Sequence, residues 1–199
     1  MTKEHLQTGQ YIDPETLGRS TLELLQVSDI STVQILNPWY QGGAETFVTD
    51  FLLRSGKDKT LHLIAKACIK MCARATMKEW FERREALGEN GVSFPNVHAT
   101  DYEGATWVEE FIPYTFREAH KQADRAQQRS LEDQYAQMYL RIEGAGFKPL
   151  GALHDVRSHG TDVVMIDVGE DIGGKVDIQS CDIDAKTRAR QSLAGVIYK

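Results

Sequence analysis

Apolar and polar positions change period several times along this chain, and each change marks an element. Val33 and Ile35 alternate with polar neighbours, Pro38 and the Gly42-Gly43 pair interrupt them, and Phe47, Val48, Phe51 and Leu52 follow. That order predicts strand, turn, strand. KDKT at 57–60 predicts a second turn, and TLHLIAKACIK a third strand. From about Arg74 the pattern becomes helical over ATMKEWFERREAL, with Met77, Trp80, Phe81 and Leu87 as apolar contacts and Gly88 as the expected stop. A further strand pair is expected across Val97–Ala99 and Thr106–Ile112 around a DYEG turn, ending at Pro113. The piece after Pro113 is polar and weakly patterned.

The clearest helix covers about 124–144, where Leu131, Tyr135, Met138, Tyr139 and Ile142 form one apolar stripe. GAGF ends it. Residues 150–168 then predict a β-hairpin, LGALHDVR and VVMIDVG around SHGTD, and Gly169, Gly173 and Gly174 are expected to break the second strand. A last amphipathic helix is expected over about 184–197. Before all this, residues 1–12 read as a loose arm, and Asp13-Pro14 opens a helix to about Leu25.

Composition narrows the class without choosing a function. The 199 residues are 41% hydrophobic and 26% charged, ordinary for a globular chain able to bury a core. No apolar run approaches the roughly 18 residues of a membrane span, and the start MTKEHLQTGQYIDPE has no apolar leader region, which predicts a cytoplasmic protein. Cys68, Cys72 and Cys181 are odd in number and lack CxxC spacing, so reduced, packed thiols are expected. The net charge of −6 argues against nucleic acid as the main partner.

The candidate chemistry centres on VVMIDVGEDIGG. Four apolar residues carry the chain to Asp167, with Glu170 and Asp171 close behind, and such an acidic group suits a hard cation bound through oxygen, such as Mg²⁺. The plainer reading is a turn rich in Asp and Gly for conformational reasons. What precedes it gives the segment a context: a Gly pair between two strands, a lysine in the third strand, an acidic helix, and an apolar strand ending in EEF.

In that order the motifs YQGGAET, LIAKA, WFERREALGENGVSFP, WVEEFIP and VVMIDVGEDIGG resemble the protein-kinase-like fold, in texture its aminoglycoside-phosphotransferase branch or the very small bacterial kinase-like proteins. The resemblance covers about residues 33–174. It implies an α+β, two-lobed fold: an N-terminal lobe over 1–113 with an antiparallel sheet and one helix, preceded by the arm and helix at 1–27, and a reduced, mainly helical C-terminal lobe with a β-hairpin over 114–199.

The resemblance also implies a transferase that uses ATP and Mg²⁺. Phosphoryl transfer needs aligned and neutralised phosphate oxygens more than covalent chemistry. Gly42 and Gly43 would bring backbone N–H groups to the phosphates, Lys66 would place an ammonium on them, and Glu82 would orient Lys66. Glu85 is the alternative, since the two lie 16 and 19 positions after Lys66. Backbone groups of Glu110 and Ile112 would read the adenine edge, and Asp167 would open the DFG-type motif, written DVG here, with Asp171 as a further metal ligand.

One part of the pattern is missing. The family's HxD catalytic loop and its following Asn should precede the hairpin, where this chain reads EGAGFKPLGA. Asp155, 12 positions before Asp167, is the nearest carboxylate to serve as base or second metal ligand, and His154 and His159 offer another base or, with Asp155, a metal group. The 25 residues after Gly174 leave room for one helix. Two functions follow: a minimal phosphotransferase acting on a small-molecule hydroxyl or a protein side chain, or a non-catalytic pseudokinase that binds nucleotide or a protein partner. A methyltransferase-like loop would need further strand–helix units, and no G-x-S-x-G elbow supports a serine hydrolase.

Overall fold

The computed structural model describes residues 30–40, 46–55, 60–68, 73–103, 106–149, 153, 155–168, 172–175 and 185–198. It is a mixed α/β protein with small antiparallel sheets and, among the described residues, four helices. The predicted arm and the helix to Leu25 lie outside the described residues, as does the turn carrying Gly42 and Gly43. Among the described residues no helix is long and apolar enough to cross a membrane. The chain divides into two compact units, one ending at Glu79 and rejoined by Asn96–Phe111, the other made of Trp80–Pro95 and the residues from Ile112 onward.

The first unit is a five-stranded antiparallel sheet of β1 (Ile30–Tyr40), β2 (Thr46–Ser55), β3 (Thr60–Cys68), β4 (Val97–Asp101) and β5 (Thr106–Glu110), in the order β1-β2-β3-β5-β4. β1 is one of the two edge strands of this sheet, which suits Pro38: a residue without an N–H is tolerated at an edge or bulge, and the β1–β2 register slips between Ile35 and Pro38. β3 is central, with Lys66 opposite Val48 on one side and Trp107 on the other. Leu63, Trp107 and Val108 are buried. The turn after β4 begins as expected, with Asp101 Oδ1 accepting from the Glu103 N–H at 3.0 Å.

Helix α1 (Ala73–Glu89) follows β3 as predicted, but Gly88 does not stop it. The helix runs to Glu89 and closes three residues beyond Gly88. Gly91, at φ 83°, takes the left-handed conformation that costs other residues about 1–2 kcal/mol. Val92 N–H donates to the Leu87 carbonyl at 3.1 Å and Gly91 N–H to the Gly88 carbonyl at 2.8 Å, the paired bonds of a Schellman cap. Buried Leu87 and Val92 supply the cap's apolar pair. Arg141 Nη1 donates to the Gly91 carbonyl at 2.6 Å, so the turn is also held from a later helix.

The rest of the second unit comprises β6 (Tyr114–Thr115), α2 (Phe116–Gln122), α3 (Arg125–Gly144), β7 (Phe147–Pro149), β8 (Val156–His159), β9 (Asp162–Met165), β10 (Ile172–Lys175) and α4 (Ala185–Tyr198). The stripe predicted on α3 is buried in full: Leu131, Tyr135, Met138, Tyr139 and Ile142. Asp124 caps α3, its Oδ1 accepting from Ala126 and Gln127 N–H at 2.8 and 2.9 Å while Gln127 returns a bond to the cap. The stripe meets Phe116, Leu153, Val156, Met165 and Ala189 in the buried set of this unit. Tyr135 brings its hydroxyl into that core, accepting from Leu153 N–H at 2.9 Å and bonding Ser192 Oγ of α4 at 2.6 Å. Arg188 of α4 forks onto Glu143, Nε to Oε1 at 2.8 Å and Nη2 to Oε2 at 3.0 Å.

Two local expectations are corrected. Gly173 and Gly174 do not break a strand; they lie in β10, which pairs antiparallel with β7. The first hairpin strand starts at Val156, not near Leu150, so Asp155 precedes the strand.

The weakly patterned piece after Pro113 hides a capped helix. Thr115 Oγ1 accepts from Glu118 N–H at 3.2 Å, and Glu118 Oε2 accepts from Thr115 N–H at 2.9 Å and from its hydroxyl at 2.7 Å. These bonds, the hydroxyl's first, hold the Glu118 carboxyl below the usual range, helped by nearby Arg157 and Lys121. A lowered carboxylate stabilises the fold above its ordinary range and loses that contribution as pH falls through the lowered value. The Thr115 amide resonance should therefore titrate below ordinary Glu pH. Thr115→Ala should move the Glu118 midpoint upward and cost about 1 kcal/mol of stability. An unmoved midpoint would refute the cap's role.

Candidate carboxylate site

Two of the chemistry-bearing residues of the second unit, Asp155 and Asp167, lie at the open end of the β8–β9 hairpin. Register pairs His159 with Asp162 at the turn and Val156 with Met165 at the far end, and one more bond extends the ladder: Ile166 N–H donates to the Asp155 carbonyl at 2.8 Å. Asp155 thus faces Ile166, and Asp167 is the next residue. The hairpin turn thus brings the backbone of Asp155 into register with the residue before Asp167, although Asp155 and Asp167 are 12 positions apart in sequence. Buried Val163, Val164, Met165 and Val168 fix the strand, while Asp155, Ile166 and Asp167 are half-buried at its mouth.

Asp167 is held by a residue that sequence reasoning assigned only to packing. Trp80 Nε1 donates to Asp167 Oδ1 at 2.9 Å, across 87 positions. The signal was present in general form, since a buried indole N–H needs an acceptor, but nothing in the spacing named it. The ring is bordered by Phe81, edge-on at 4.9 Å and 77°, and by the Arg84 guanidinium 5.1 Å from its centroid. Arg84 also lies 5.0 Å from the Phe94 ring and donates to the Pro95 carbonyl.

Of the other predicted residues, Glu82 and Glu85 both lie exposed on α1, and Lys66 sits in β3 with its backbone in register as above; its side chain is outside the described residues. Glu110 ends β5, its N–H donating to the Asn96 carbonyl at 2.9 Å and its Oε2 accepting from Asn96 Nδ2 at 3.0 Å. Ile112 is buried, and its carbonyl accepts from Arg157 Nη1 at 3.3 Å. His159 is exposed at the hairpin turn. Gly42, Gly43, His154 and Asp171 lie outside the described residues. Among the described residues, no three His, Cys, Asp or Glu side chains are grouped to hold a metal ion. Asp155 and Asp167 offer the hard oxygen donors that Mg²⁺ takes, and Mg²⁺ commonly binds through one or two carboxylates plus substrate phosphates. The donor chemistry fits.

No family model and no curated protein matches the chain. Among solved structures, similarity is found to the streptomycin–ATP–APH(2″)-IIa ternary complex, at 14% identity and a TM-score of 0.38 over 66% of this chain. The chain spans 40% of that protein's length. Likeness at that depth assigns neither a fold nor an activity.

Proposed function

We propose that this chain is a cytoplasmic, minimal kinase-like phosphotransferase, dependent on ATP and Mg²⁺ and acting on a small-molecule hydroxyl or a protein side chain. One observation carries the reading: the β8–β9 hairpin sets the Asp155 backbone beside the Asp167 segment, and Trp80 Nε1 donates to the Asp167 carboxylate. A base and a metal carboxylate at one strand end are the equipment phosphoryl transfer needs. A two-lobed architecture is part of the proposal, with the antiparallel sheet in the first lobe.

In this reading Asp167, with Asp171 or Asp155, would hold Mg²⁺, which supplies charge neutralisation at the phosphate oxygens. Lys66 would place its ammonium on the same phosphates, with Glu82 or Glu85 to orient it, and Gly42 and Gly43 would give them backbone N–H donors. The Glu110 N–H is already committed to Asn96, which leaves its carbonyl as the group to read the adenine edge, alongside the Ile112 N–H. Asp155 accepts the proton of the acceptor hydroxyl as that oxygen bonds to the γ-phosphorus. The bond from phosphorus to the bridging oxygen breaks, and ADP leaves with its electron pair.

A second reading has a specific observation in its favour. The stretch EGAGFKPLGA, where the family keeps its catalytic loop, carries neither Asp nor Asn, and its described residues 143–149 hold the end of α3 and strand β7. A pseudokinase that binds nucleotide without transferring phosphate fits that departure.

A thermal-shift titration with ATP, with and without Mg²⁺, tests what both readings share. At a hundredfold excess over Kd, bound nucleotide stabilises the fold by about 2.7 kcal/mol. For a chain of this size that is a rise of roughly 5–10 °C in Tm. Asp167→Ala should lose the Mg²⁺-dependent part. No shift in the wild-type protein under either condition would end the proposal.

A further inference from the structure

The surroundings of Trp80 form a closed circuit. Its N–H ends on Asp167 Oδ1 at 2.9 Å, and its ring packs beneath the Arg84 guanidinium at 5.1 Å. Arg84 is fixed in turn by the Phe94 ring at 5.0 Å and by the Pro95 carbonyl. One residue before Phe94, the Ser93 carbonyl accepts from Met165 N–H at 2.9 Å, two residues upstream of Asp167. The second half of α1 and the loop after it therefore grip the Asp167 segment twice: at the backbone of β9 and at the carboxylate.

From this circuit we propose that Trp80 is a positioning residue for the metal carboxylate, its N–H setting the orientation of the Asp167 carboxylate while Arg84 sets the indole. The proposal rests on the reading of Asp167 as a Mg²⁺ ligand. The torsion that turns an Asp carboxylate is broad and two-fold, so an unheld carboxylate presents its oxygens over a wide range of directions. A donor on one oxygen narrows that range before the cation arrives. A neutral donor suits the task better than a cationic one, because an Arg or Lys at this position would compete with Mg²⁺ for the same charge. The guanidinium contributes indirectly: a cation over the indole face draws electron density from the ring and makes its N–H a stronger donor.

The test is a Mg²⁺ titration at a fixed concentration of a non-hydrolysable ATP analogue, followed through the indole ¹H–¹⁵N resonances of Trp39, Trp80 and Trp107. The Trp80 signal is the one missing in Trp80→Phe and displaced in Asp167→Ala. In the wild-type protein it should move with Mg²⁺ occupancy. Trp80→Phe keeps an aromatic ring and removes the donor, so Mg²⁺ affinity should fall by about 10–100-fold, the usual loss when the partner of a metal-ligating group is removed. On an Asp167→Ala background the same change should have no further effect, whereas a purely structural role would weaken both backgrounds alike. Should Trp80→Phe fail to fold, the wild-type and Asp167→Ala spectra decide alone. A Trp80 signal that stays still while Mg²⁺ binds, or unchanged affinity in Trp80→Phe, overturns the positioning role and leaves Asp167 as a ligand. A wild-type protein that binds no Mg²⁺ with the analogue overturns both.

Discussion

Phe116→Ala should destabilise the second unit by about 3–5 kcal/mol, the range for emptying a fully buried aromatic site. Phe116 is 0% exposed, the first residue of α2, and meets the Tyr135 ring at 5.1 Å and the His120 ring at 6.1 Å. A helix of seven residues cannot stand on propensity, since helices shorter than about 12–15 residues are marginal in water, so α2 depends on this side chain for its docking. The better helix propensity of Ala returns only a few tenths of a kcal/mol. The damage should spread, because Tyr135 also holds the Leu153 backbone and Ser192. Urea unfolding followed by near-UV circular dichroism measures the loss. Tyr114→Ala, two residues away and 44% exposed, is the control and should stay within about 0.5 kcal/mol of wild type. A loss below 1 kcal/mol for Phe116→Ala would mean that the core can close over the gap.

Which elements were legible in the sequence follows from how far apart their partners lie. The stripe from Leu131 to Ile142 and the alternation around Val33, Phe47 and Leu63 are local patterns, and they gave α3 and the strands of the large sheet within a few residues. The β8–β9 hairpin was legible too, because SHGTD separates two apolar runs. The β7–β10 pair was not: it joins Phe147–Pro149 to Ile172–Lys175 across intervening elements, and IGGK has too little side chain to announce a strand. Gly88 and Gly91 show a finer limit. Both stand near the helix end, and only the bonds from Asn90, Gly91 and Val92 back to Leu87 and Gly88 single out Gly91 as the left-handed residue.

The candidate site divides the same way. Asp167 was legible as a carboxylate leaving an apolar strand, and Asp155 as the nearest carboxylate upstream. Trp80 fits the apolar pattern of α1 and is buried, but its N–H partner lies 87 positions away. Thr115-x-x-Glu118 was the reverse case, a complete capping signature in plain view, masked by the polar residues around it.

The same hairpin makes Asp155→Asn the most informative change to activity. Asn keeps the size of the side chain and leaves the Asp155 carbonyl in place to accept from Ile166 N–H, so the ladder end should survive. What is lost is the capacity to take a proton. If Asp155 is the base of the proposed reaction, turnover of ATP should fall by about 10²–10⁴-fold, the contribution general bases make, while the Mg²⁺-dependent thermal shift with ATP stays at its wild-type size. If Asp155 serves instead as a second metal ligand, the shift and the turnover should fall together, which separates the two roles in one pair of measurements. ATP turnover at the same background rate in wild type and Asp155→Asn, with the thermal shift intact in both, would refute the transferase and leave the nucleotide-binding pseudokinase, in which Asp167 still holds its cation and the acceptor hydroxyl has no base to meet.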